Sequence, residues 1–180
     1  YSSLSSWDAA AGRGEYSDKF WRKAIASKEV HPDVKALAIR KLARRGSITP
    51  EELIDIQSNS SSEIVRLAAF DGNAEIAPDC FDKAILLALD DDYELLQRLG
   101  AKFASYNQSP TLAEKAVQLF LDPLTSKRVL FHIKSLFVTI DGEKAKSLVR
   151  STPYWKGEDG KESLCRYIDS NTSSKKADID

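Results

Sequence analysis

Methionine is absent from the 180 residues, and cysteine and histidine occur only twice each. Formal charge nearly cancels, with 26 Lys and Arg against 27 Asp and Glu. Each shortage excludes something. Balanced charge gives no global attraction to nucleic acid or to an anionic membrane surface. No apolar run approaches the roughly 18 residues of a membrane span; the longest, "AILLALDDD", stops at three aspartates. Cys80 and Cys165 are far apart and have no CxxC partner. One disulfide between them stays open, but two isolated thiols fit a reducing compartment better, so the expected location is the cytoplasm or another reducing intracellular space. Two histidines and two distant cysteines do not make a zinc site by spacing. P-loop, GxGxxG, HExxH and GxSxG patterns are all missing. The expected chain therefore has no catalytic residues, no metal and no cofactor, although an enzyme with scattered catalytic groups stays open. The start at Tyr1 reads as a processed chain or a piece of a longer one. The opening "YSSLSSWDAAAGRG" lacks the long apolar core of a signal peptide.

Helix-period patterns cover most of what is there, and almost nothing alternates as a strand does. The periodicity predicts helices near 17–28, 32–45, 50–57, 62–71, 78–89, 92–106, 110–121, 125–140, 142–150 and 161–169. Helix-start chemistry marks several of them. In "TPEEL" Thr49 takes the N-cap, Pro50 the first helical position and Glu52 the third, where its carboxylate completes a capping box. Ser109 and Pro110 repeat the pattern, and His31 is a helix-start residue before Pro32. Asp91 or Asp92 in the "DDDYE" run caps the helix that follows; the run lacks the spaced ligands of a calcium loop. His132, in "VLFHIKSLF", reads as a partly buried core histidine. Residues 1–14 are expected to fray, 15–169 to form a single helical-repeat domain and 170–180 to be a disordered tail.

Overlaying the segments exposes a repeat. "DVKALAIRKLARRGSITPEELIDI" from Asp33 matches "EIVRLAAFDGNAEIAPDCFDKAI" from Glu63, with Val34 on Ile64, Leu37 on Leu67 and Ala38 on Ala68. After two residues are dropped from the loop, Ile48 falls on Ile76, Pro50 on Pro78 and Leu53 on Phe81. The period is about 30 residues, within the range of solenoids, where stacked helix pairs share one continuous core. "HPDVKALAIRKLARRG" and "SSEIVRLAAFDGN" resemble the second helix of HEAT-like repeats, best over residues 19–90, with Lys35 a departure from the usual Arg. That resemblance implies an all-α, HEAT-like right-handed α-solenoid of antiparallel helix pairs. It also implies a protein-binding scaffold whose second helices carry the contacts.

Charge is uneven along the chain. Lys19 to Arg45 is basic, the stretch from Gly46 to Leu96 is acidic, and 97–134 turns basic again. The candidate partner-binding residues are Lys35, Arg40, Arg44, Arg45, Arg66 and Arg98, with Trp155 as a loop aromatic of the kind that anchors partners. The expected function is a non-catalytic helical-repeat scaffold or protein-interaction domain, taking another protein through an acidic segment. A HEAT-like nucleic-acid-binding or base-repair protein is the second reading. An accessory domain of an enzyme whose active site lies outside this chain is the third. A membrane partner is not expected.

Overall fold

A computed structural model describes residues 16–77, 81–107, 109–153 and 156–177. Among them are ten α-helices, one 3₁₀ segment and no strand, so the chain is all-α. It divides into two compact units, with the boundary in the sequence between Leu87 and Ala88.

The first unit contains α1 (Asp18–Ala26), α2 (Pro32–Arg44), α3 (Pro50–Asn59), α4 (Glu63–Ile76) and most of α5 (Asp82–Leu89). Local chemistry sets the boundaries. Ser17, Thr49 and Ser62 accept backbone N–H groups at three helix starts, and the Thr49–Glu52 capping box is complete. His31 caps α2 through Nδ1, which accepts the Asp33 N–H at 3.2 Å. Gly46 ends the same helix at φ 65°, a conformation that costs glycine little. Ser47 N–H then reaches the Leu42 carbonyl at 2.9 Å and Gly46 N–H the Ala43 carbonyl at 3.0 Å, the paired bonds of a Schellman motif.

Helix α2 packs along α4, while α1 lies on α2 and α3 on α4. Alanines make this approach short: Ala36, Ala38, Ala43, Ala68 and Ala69 are all buried, beside Trp21, Ile39, Leu42 and Leu53. Helix α4 runs through Gly72 to Ile76, five residues past the end expected at 71. A Cβ at Gly72 would meet both Leu53 methyls at 3.3 Å and Ala43 Cβ at 3.4 Å, so this glycine serves close packing and not a helix stop. The overlay of the two segments holds in the helix middle: Ala38 and Ala68, Ile39 and Ala69, Leu42 and Gly72, and Ala43 and Asn73 are all buried. It fails at the helix start. Val34 is buried but Ile64 is 43% exposed, and Val65 takes the inward position instead.

The second unit contains α6 (Glu94–Asn107), α7 (Pro110–Leu121), α8 (Lys127–Ile133), a 3₁₀ segment (Lys134–Thr139), α9 (Gly142–Ser151) and α10 (Gly157–Ala177). Ser109, Ser126 and Asp141 cap α7, α8 and α9. Asp91 Oδ1 accepts the Tyr93 N–H at 2.8 Å and shapes the turn into α6. Helix α6 packs on α8 and α9 on α10, and the 3₁₀ segment touches α6, α7, α8, α9 and α10. That central place explains three consecutive buried residues, Leu136, Phe137 and Val138, with Phe137 edge-on to Phe120 at 4.8 Å. The continuous helix expected over 125–140 therefore tightens after Ile133. The last helix begins at Gly157 and stays helical to Ala177, beyond the expected end at 169. Asn171 and Thr172 side chains donate to the carbonyls of Tyr167 and Ile168, satisfying groups within that extension.

Candidate anion-binding cleft

The expected contact residues divide into separate places. Arg40 and Arg44 stand one helical turn apart on exposed α2 positions. Across from them Asp71 has its carboxyl pushed above the usual range by desolvation, with Arg40 acting the other way. Arg45 is turned into the fold: its Nη1 meets Asp18 Oδ1 at 2.9 Å and the Tyr16 carbonyl at 3.3 Å. Arg66 donates to the Ser60 carbonyl at 3.2 Å, holding the loop before its own helix. Lys35 is half-buried and lines a polar cavity of about 250 Å³ with Lys28, His31 and Ser60 to Ser62. Trp155 lies outside the described residues. The first unit thus gathers Arg40 and Arg44 and sends the other expected residues elsewhere.

Arg98 is different. It stands on α6, one turn before Lys102, and α8 packs alongside. Lys127 and Arg128 occupy the first turn of α8; Phe131 and His132 follow one turn later, on the same side of the helix. Arg98, Lys127, Arg128, Phe131 and His132 line an open cleft of about 320 Å³. Three basic side chains face this space, and no carboxylate lines it. Arg128 has a long ion pair with Glu94 at 3.8 Å, and both side chains are more than half exposed, so screening leaves it little strength. Arg98 Nε is buried without a hydrogen-bond partner among the described residues. His132 is half-buried; burial pulls its pKa below the ordinary value, and the charges of Arg98 and Lys102 pull it further. Phe131 is 50% exposed, and Lys134 Nζ lies 4.8 Å from its ring centroid.

Lys127, Arg128 and Phe131 did not stand out from the sequence, yet a signal was present. Two cations in the first turn of a helix oppose its dipole, at a cost of roughly 0.3–1 kcal/mol each. No acidic residue occupies that turn. A lone phenylalanine one turn on, at a solvent-facing position, completes the signal.

The class defined by these features is an all-α protein with a basic cleft between two packed helices. Compared with known proteins, the chain matches no family model, no curated protein and no solved structure. Among the described residues no helix is long and apolar enough to cross a membrane.

Proposed function

We propose that the chain is a HEAT-like helical-repeat interaction domain that takes an acidic segment of a partner protein into the α6–α8 cleft. The cleft lining carries this reading: Arg98, Lys127 and Arg128 converge beside His132 and an exposed phenyl ring, with no acid among them. Such a lining attracts an anionic chain and offers Phe131 as an apolar anchor next to the charges. The repeat part of the reading is supported in the first unit. There two helix pairs, α1–α2 and α3–α4, lie with α2 against α4, and buried positions recur thirty residues apart from Ala38 to Asn73.

Titration with a fluorescein-labelled Asp/Glu peptide tests it. Binding should weaken about tenfold in Arg98→Gln and in Lys127→Gln and fall steeply as salt rises. Binding that ignores both substitutions would remove the cleft from the account.

Nucleic acid is the second reading, favoured by the exposed ring of Phe131, on which a base could stack. Salt bridges elsewhere in the second unit weigh against it, because a strand needs cations spaced along a track.

A further inference from the structure

The number and placement of the cations narrow the chemistry of the anion. We infer that the α6–α8 cleft recognises a phosphomonoester, a phosphoserine or phosphothreonine borne on the partner's acidic segment; this rests on the cleft being the recognition site proposed above.

The first argument is charge density. Arg98, Lys127 and Arg128 face one cavity of about 320 Å³, room for one phosphate and the side chain that carries it. A phosphomonoester brings about −1.5 to −2 charges and three strong acceptor oxygens on a single atom. One carboxylate brings a single charge, and two carboxylates held this close repel each other. Arginine forks match phosphate oxygens in pairs.

The second argument is an unmet donor. Arg98 lines the cleft, and its Nε has no hydrogen-bond partner among the described residues although the atom is buried. A buried donor left this way costs stability, and a turn of the Arg98 side chain that brings its guanidinium onto a bound oxyanion supplies the missing acceptor.

The third argument is confinement. Three lysines elsewhere in the second unit are paired with carboxylates: Lys115 with Asp90, Lys146 with Glu143 and Asp169, and Lys161 with Glu158. Arg98 and Lys127 are in no ion pair among the described residues, and both line this one cleft. A focal dianion fits that pattern, whereas a nucleic-acid strand needs charge repeated at each phosphate.

The test is two-dimensional NMR and calorimetry on the full chain with three short peptides that share one Asp-containing sequence and differ at one position: phosphoserine, serine or glutamate. Inorganic phosphate and a short oligothymidylate complete the set. The phosphoserine peptide should bind at least about tenfold more tightly than the glutamate peptide. It should shift the amides of residues 98–102 and 127–134, and inorganic phosphate should compete for the same amides. Lys127→Gln, at an exposed position, and Arg98→Gln should each weaken it about tenfold with unchanged circular dichroism. Equal binding of the glutamate and phosphoserine peptides overturns the phosphate inference and leaves the acidic-segment reading standing. Failure of every peptide overturns both. Oligothymidylate binding more tightly than the phosphopeptide overturns both in favour of nucleic acid.

Discussion

Arg22 of α1 meets Glu52 of α3, Nη1 to Oε1 at 2.8 Å, and the same Glu52 accepts the Thr49 N–H at 2.8 Å to close the capping box of its own helix. One carboxylate therefore ties a helix start to the neighbouring helix pair. Arg22 also donates to the Ser47 carbonyl in the loop between α2 and α3. Both side chains are more than 40% exposed, so the ion pair itself is screened and the cap is the larger part.

Glu52→Ala is expected to destabilise the chain by about 1–2 kcal/mol, mostly through the lost cap, and Arg22→Ala by less than about 1 kcal/mol. Urea unfolding measures both. The two Arg22 bonds and the Thr49 bonds hold the Glu52 carboxyl below the usual range. Its contribution is present above the unfolded carboxylate pKa and disappears as pH falls through the lowered folded value. Acid unfolding of Glu52→Gln should accordingly be flatter below about pH 4.5 than that of the parent chain.

Gly72 and Gly100 should respond differently to alanine. A Cβ on Gly100 lies 2.8 Å from Ala88 Cβ and 3.3 Å from the backbone of residues 88 and 89, so backbone must move. At Gly72 the nearest atoms are Leu53 methyls, which can turn aside. Alanine gains roughly 1 kcal/mol of helix propensity at either site. Gly100→Ala is expected to lose about 1–3 kcal/mol net, and Gly72→Ala to stay within about 1 kcal/mol of the parent. Thermal unfolding of the pair checks the contrast.

His132 predicts a pH effect on stability and on binding. Its folded pKa is lowered by burial, then by Arg98 and Lys102, while Lys127 and Arg128 of its own helix also line the cleft. A histidine that prefers the neutral form when folded lends stability above its unfolded pKa of about 6.5, and that stability is lost as pH falls through the lower folded value. Stability should drop on acidification below about pH 6.5, and His132→Gln should reduce the drop. A bound anion favours the charged imidazolium, so anion affinity should rise over the same interval. NMR titration of the His132 ring with and without phosphate measures both effects.

Helix starts were legible because they are written in local chemistry. Thr49, Pro50, Glu52, Ser109 and His31 act through atoms two or three residues away. The inward faces of α2 and α4 were legible where periodicity alone decides, as at Ala38 and Ala68. Ile64 was not, because a one-residue rotation of the helix start brings Val65 inward, and neighbouring helices set that rotation. The helix expected over 62–71 stopped short because the reason for Gly72 inside it, contact with Leu53 and Ala43, is far away in sequence. The same limit hid the cleft. Arg98 and Lys127 are separated by a whole helix and two turns, and only the packing of α6 on α8 makes them neighbours. Arg45 looked like a free cation beside Arg44, and its commitment to Asp18 depends on α1 folding back over the end of α2.

The central claim is that recognition resides in the α6–α8 cleft and not at the basic end of α2. The direct measurement compares two double substitutions, Arg98→Gln with Lys127→Gln and Arg40→Gln with Arg44→Gln, for affinity to one phosphoserine peptide. The cleft pair should lose at least about tenfold in affinity while the α2 pair changes less than about twofold. A loss confined to the α2 pair would contradict the account.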